Sequence, residues 1–132
     1  RLHDELMREP MLVNQFRIIR ASSKVIFGIG DIGPESTYAR TEISDAASIA
    51  GMVGQGAVGV IIGRVIDARG HALPGPLDRR MIGMTLDELK AVPVRICAAG
   101  GAQKIDAIRA GLEGGYATHL VTDMATARVL LE

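Results

Sequence analysis

The chain is 132 residues long, enough for one compact domain, and its 48% hydrophobic content rests on Ile, Leu, Val, Ala and Met, since aromatics are 3% and Trp is absent. Fifteen basic residues balance fifteen acidic ones with no run of Lys or Arg, which excludes an electrostatic footprint for nucleic acid in this chain. One cysteine, Cys97, rules out a disulfide framework and a cysteine-based zinc cage and fits a reducing, cytoplasmic setting; no segment approaches the roughly 20 apolar residues of a membrane span or resembles the apolar block of a signal peptide.

Leu2, Leu6, Leu12, Phe16 and Ile19 stand mostly three or four apart, which predicts a helix over 2–21 that Pro10 should break or restart. Residues 25–30 read as a buried strand, 31–43 as a loop or irregular turn, and 46–54 as a second helix. An apolar run over 58–66 reads as one strand, followed by an Asp67-Ala68-Arg69-Gly70 turn and a polar excursion ending near Gly83. Thr85-Leu86-Asp87-Glu88 has the spacing of a capping box, which starts a helix over 86–91. Residues 94–98 form another strand that runs into Gly100-Gly101 and a helix over about 103–112. Gly114-Gly115 ends that helix, 119–121 is a short strand, and Thr122 or Asp123 caps a last helix over 124–131. The recurring order of strand, glycines and helix predicts an α/β fold, a Rossmann-like three-layer arrangement around a parallel sheet. The chain opens on Arg1, so it is expected to be part of a longer protein.

The first glycine loop, Gly28-Ile29-Gly30-Asp31-Ile32-Gly33, fits G-x-G-x-x-G, the spacing of a dinucleotide fingerprint. That fingerprint needs a helix opening in the loop and an acid about 20 residues on, at the end of a second strand. Pro34 follows Gly33, and Asp45 falls in a helical pattern, so the glycines serve either a tight turn or the rim of a ligand pocket.

The second loop carries more chemistry. Gly100 and Gly101, between a buried strand and a helix, leave backbone N–H groups free to face an anion. Lys104 sits in the first helical turn, where the helix dipole disfavours a cation unless an anion or acid is close; the alternative is a solvated surface lysine. Asp67 could accept hydrogen bonds from ligand hydroxyls or make an Asx turn, and Asp123 could serve a ligand or cap its helix. His3, His71 and His119 lack ligand spacing, so neither a metal nor another cofactor is expected. Cys97 reads as an inert core thiol, and Ser36 and Thr37 as local turn hydroxyls.

Gly28-Ile29-Gly30, Gly56-Ala57-Val58-Gly59, the D-x-x-G of Asp67 and Gly70, the segment AGGAQKIDAI over 99–108 and LVTDMATARVLL over 120–131 together resemble the effector-binding domain of SorC-type transcriptional regulators. The resemblance runs from about residue 24 to the end of the chain. It implies a fold similar to ribose-phosphate isomerase and glucosamine-phosphate deaminase that senses a phosphorylated sugar without converting it. It also implies a homo-oligomer, dimer or tetramer, that reaches operator DNA through a helix-turn-helix absent from this chain. By the same resemblance Lys104 and Asp67 contact the ligand, and Gly28, Gly30 and Asp31 form the pocket rim beside Gly100 and Gly101. The chain departs from the family in having Val60 where an acid often follows GAVG, and in being about half the family domain's length. The loops at 28–33, 67–70, 100–104 and 122–123 are expected to follow strands pointing one way and so to share an edge. The rival reading is a sugar-phosphate isomerase-like enzyme with Lys104 or Asp67 as acid or base. A third is a dimerisation module with an inactive pocket.

Overall fold

A computed structural model describes residues 2–41, 45–75 and 77–132. The end of the loop expected over 31–43 and Pro76 in the excursion lie outside the described residues. The N-terminal helical pattern divides where proline dictates: α1 spans Leu2–Leu6, and α2, Pro10–Arg20, starts with Pro10 in the first turn, where its missing N–H costs nothing. Phe16 is the residue that α2 buries. Arg20 stacks over the Phe16 ring at 5.3 Å and donates to Glu88 Oε1 at 2.7 Å, which ties α2 to a later helix.

Two three-stranded sheets follow from one apolar run. β1, Lys24–Phe27, pairs in parallel with β5, Val94–Ala98, and β5 pairs in parallel with β6, His119–Val121. At Gly28 the chain leaves this sheet and continues as β2, Ile29–Asp31, which pairs antiparallel with β3, Ala57–Ile61; β3 in turn pairs with β4, Arg64–Asp67. Two sequence expectations are corrected here. The strand expected over 25–30 is two strands in two sheets, and the strand expected over 58–66 is a hairpin. Ile62 at φ 48° and Gly63 at φ 79° make its two-residue turn, the doubly left-handed geometry that matches strand twist. Consequently β4 belongs to an antiparallel sheet, and the 67–70 turn does not share an edge with the loops after β1, β5 and β6.

Helices fill the connections. The loop after β2 contains α3, Thr37–Arg40, capped by the Ser36 hydroxyl, which accepts from Ala39 N at 3.1 Å. α4, Ala46–Gly54, is capped by Asp45. The capping box is present at α5, Leu86–Ala91: Thr85 Oγ1 accepts from Glu88 N at 3.1 Å, and Thr85 N donates to Glu88 Oε2 at 2.9 Å. α6, Ile105–Glu113, lies against the antiparallel sheet, and α7, Met124–Leu131, packs on α6.

The main core joins both sheets, with Phe27 and Cys97 from one, Ile29, Ile61 and Ile66 from the other, and Leu86, Leu89, Ala107 and Ala110 from α5 and α6. A second cluster, Ile32, Ile49, Ala57, Val60 and Val65, lies under α3 and α4. Arg95 braces the fold from β5. Its guanidinium donates to Val92 O at 2.6 Å and Lys90 O at 3.1 Å, and to Tyr116 O at 3.0 Å and Gly115 O at 3.1 Å. One cation thereby satisfies carbonyls where α5 and α6 end, the favourable end of a helix dipole for positive charge.

Candidate ligand-binding edge

The parallel pairing Phe27↔Cys97 and Ala98↔Val121 ends three strands together, so the loops after β1, β5 and β6 meet at one edge. Open α/β sheets bind ligands at this kind of edge. Gly28 leaves β1 there, and a Cβ on it would stand 3.7 Å from Ala98 O. Ala99 N still donates to Val121 O at 3.1 Å, after which Gly100 and Gly101 turn the chain. Gly101 has φ 111°, outside the range of residues with side chains, and a Cβ on Gly100 would collide with the Asp123 carboxylate. The loop is thus closed down on the start of α7.

A short relay fixes that closure. Gly101 N donates to Thr126 Oγ1 at 2.9 Å, Thr126 Oγ1 donates to Asp123 Oδ2 at 2.7 Å, and Asp123 Oδ1 accepts from Thr126 N at 2.9 Å. Both carboxylate oxygens of Asp123 are therefore engaged in capping α7, and the hydrogen bond from the Thr126 backbone, with that from its hydroxyl, holds the Asp123 carboxyl below its ordinary range. Thr122 differs: its Oγ1 is buried and has no hydrogen-bond partner among the described residues, 3.2 Å from where a Gly100 Cβ would be. A buried hydroxyl without a partner is costly unless something binds it.

Lys104 ends a 3-10 turn, Ala102–Lys104, that leads into α6, with its N–H on Gly101 O at 3.0 Å. The side chain is half-buried, and among the described residues its amine makes no hydrogen bond or ion pair. Burial pushes the Cys97 thiol up to about 11, against the opposing pull of the Lys104 charge. Cys97 is fully buried and stays protonated at neutral pH, as an inert core thiol should. β2 packs beside the 3-10 turn, so Gly30 and Asp31 flank the same edge. Asp31 Oδ2 accepts from Gly33 N at 3.3 Å.

The structure therefore brings together Gly28, Gly30, Asp31, Gly100, Gly101 and Lys104, and adds the Thr122 hydroxyl, in a loop that the sequence placed on this edge without giving Thr122 a ligand role. It does not bring Asp67 to them. Asp67 Oδ1 accepts from Arg69 N and His71 N, both at 2.9 Å, and these backbone bonds, led by that from His71, lower its pKa. Gly70 O in the same turn accepts from Tyr116 OH at 2.7 Å, just beyond the C-terminus of α6. Lys104 stands at the other end of α6, whose nine residues span about 13 Å. A cavity of about 510 Å³ lies at this turn, lined by Arg64, Arg69, His71, Lys90 and Tyr116 among others. A separate cavity of about 400 Å³ opens from Gly28 and Gly30. No group of three or more His, Cys, Asp or Glu among the described residues is placed to hold a metal ion, and no helix among them is long and apolar enough to cross a membrane.

Among the described residues, an α/β domain thus carries glycine loops, a lysine without a hydrogen-bond or ion-pair partner and an orphan hydroxyl at one strand edge. Residues 1–132 match the family described as "Putative sugar-binding domain". The curated relative "Uncharacterized transcriptional regulator YjhU" of Escherichia coli is 34% identical over 131 residues, covering 99% of this chain and 40% of its own length. A DeoR family transcriptional regulator from Listeria monocytogenes superposes with a TM-score of 0.92 at 22% identity, covering 98% of this chain and 52% of that one. The full-length sorbitol operon regulator SorC from Klebsiella pneumoniae gives 0.82 at 20% identity, covering 99% and 42%. The chain belongs to this family of sugar-binding domains, and the relatives and solved structures to which it is similar are transcriptional regulators. It spans about half the length of the proteins it matches, or less.

Proposed function

We propose that the chain is the part of an effector-binding domain by which a bacterial, cytoplasmic regulator senses a phosphorylated sugar, and that binding changes the operator affinity of the full-length oligomer without chemical conversion of the ligand. What supports this reading is that Lys104, without a hydrogen-bond or ion-pair partner among the described residues, closes the turn after the Gly100–Gly101 loop, beside which lies the buried Thr122 hydroxyl, also without a partner among them. A phosphate there would receive a cation, a hydroxyl and backbone N–H groups at the start of a helix. Gly28, Gly30 and Asp31 would form the rim.

On this reading Asp31 and Lys104 serve the rim and the phosphate rather than acid–base chemistry. Asp123 is engaged on both oxygens, Cys97 is a buried thiol, and His71 lies on the Asp67 carboxylate in the distant turn at 3.3 Å. A ligand changes a regulator only through unequal affinity for its two arrangements. The α7 N-terminus, tied to the ligand loop through Thr126, is the element here that ligand occupancy would bias.

The test is a thermal-shift panel of phosphorylated sugars and their unphosphorylated parents on this chain and on Lys104→Ala. A ligand at 100 times its Kd adds about 2.7 kcal/mol, a shift of several degrees for a domain of this size. One phosphorylated sugar should raise the midpoint, its parent should not, and the variant should lose the response. A response that survives Lys104→Ala removes the lysine from the site. Turnover of ribose 5-phosphate or glucosamine 6-phosphate would overturn the non-catalytic reading.

A further inference from the structure

The cavity of about 510 Å³ beside the 67–70 turn, at the other end of α6 from Lys104, holds a cation that the fold leaves half used. Arg64 lines it with a side chain only 11% exposed. Its Nη1 donates to Asp78 Oδ1 at 3.0 Å and to Asp78 O at 3.2 Å, and Asp78 Oδ2 accepts from Gly75 N at 2.6 Å, so that carboxylate is engaged on both oxygens. Nε, by contrast, is buried without a partner, and Nη2 makes no hydrogen bond or ion pair among the described residues. Nε and Nη2 form the edge of a guanidinium that grips a carboxylate through two parallel bonds. A buried donor left open costs free energy unless something accepts from it.

The rest of the wall carries both signs of charge. Arg69 and Lys90 line it with Asp87 and Glu113, so that together with Arg64 and Asp78 three cations balance three acids. The side chains of Arg69, Asp87 and Glu113 make no hydrogen bond or ion pair among the described residues. Lys90 Nζ lies 5.4 Å from the centroid of the Tyr116 ring, and His71 is turned to the Asp67 carboxylate at 3.3 Å. We propose that this cavity binds a free α-amino acid, its carboxylate on the Nε–Nη2 edge of Arg64 and its ammonium toward Asp87 and Glu113. A phosphate dianion would meet those two acids, whereas a zwitterion leaves no charge of either sign in surplus. The volume is within the range of small-ligand sites. The inference stands apart from the effector reading, since this cavity shares no residue with the glycine edge.

Calorimetric titration of this chain with matched pairs tests the inference, each amino acid against the carboxylate that lacks its amine: alanine against propionate, leucine against isocaproate, phenylalanine against hydrocinnamate, with inorganic phosphate as the anion alone. At least one amino acid should bind about tenfold or more tightly than its partner, the worth of one charge-assisted hydrogen bond. In proton–nitrogen correlation spectra the Arg64 Nε–H resonance should move and saturate along the same isotherm. Arg64→Lys keeps a charge beside Asp78 but has no fork, and should abolish binding. Should that variant fail to fold, Asp87→Asn with Glu113→Gln, both at exposed positions, should keep the affinity for the plain carboxylate and erase the advantage of the amino acid. Amino acids that bind no better than their partners, or phosphate that binds best, would overturn the ligand class. An Arg64 Nε–H resonance that stays still throughout would overturn the site, and neither result touches the effector reading.

Discussion

Arg95 concentrates more of the fold in one side chain than any other position described above. Its four bonds to carbonyls are charge-assisted, and removing it strands those acceptors at two helix ends. Arg95→Ala should lower unfolding free energy by about 2–3 kcal/mol, measured by urea denaturation; a loss below about 0.5 kcal/mol would make those bonds ornamental. Asp123 gives a pH prediction with a definite sign. Its carboxyl is held below the ordinary range in the fold, so the unfolded state binds the proton more readily. The stabilisation is complete above the unfolded value of about 3.9 and is lost as pH falls through the depressed folded value. Asp123→Asn should therefore flatten the acid limb of the melting curve below about pH 4 relative to the parent, and an unchanged limb would refute the assignment. The capping role of Asp123 was visible in the sequence as one of two readings, because Asp-x-x-Thr ahead of an apolar helix offers the carboxylate two donors. The orphan hydroxyl of Thr122 was not, since its lack of a partner depends on how closely Gly100 and the start of α7 meet.

Among the elements, α5 was the most legible. Thr85 and Glu88 are close in sequence, so the capping box depends on no tertiary contact, and its observed bonds match the expected ones. Thr85→Ala should cost about 1 kcal/mol, checked by denaturant titration. The change should also loosen the Arg20–Glu88 pair, so a double variant with Arg20→Ala should cost less than the two separate losses added together. The hairpin of β3 and β4 was hidden because its turn is Ile62-Gly63, inside an apolar run and without the Asn-Gly signal. Between Val60 and Ile66 the run is interrupted only at Gly63 and Arg64, and one glycine beside one cation does not by itself mark a two-residue turn. The switch of sheets at Gly28 was hidden because Val25 to Gly30 is a continuous run of apolar residues and glycines that reads as one buried strand, and only the pairing partners, β5 before the glycine and β3 after it, tell the halves apart. Placing Asp67 beside Lys104 followed from treating β4 as one more parallel strand.

At the scale of the whole molecule the parallel sheet is asymmetric. Val25 and Phe27 face the core, whereas Ile26 is 72% exposed on the opposite face and Val121 60%. Contiguous apolar surface of this kind binds hydrophobic dyes. The double variant Ile26→Lys, Val121→Lys should bind less of such a dye while its unfolding free energy stays within about 1 kcal/mol of the parent; unchanged dye fluorescence would move the apolar patch elsewhere. The pairing Lys24↔Val94 has a further consequence, in the order of events during synthesis. The β3–β4 hairpin needs only residues close in sequence, but β1 must wait for a partner 70 positions later, and the edge after β5 and β6 needs Thr126 as well. Ribosomes add about 5–20 residues per second, so the antiparallel half can form seconds before the ligand edge exists. On a nascent chain the loops after β1, β5 and β6 would meet only when nearly all of these residues have been made.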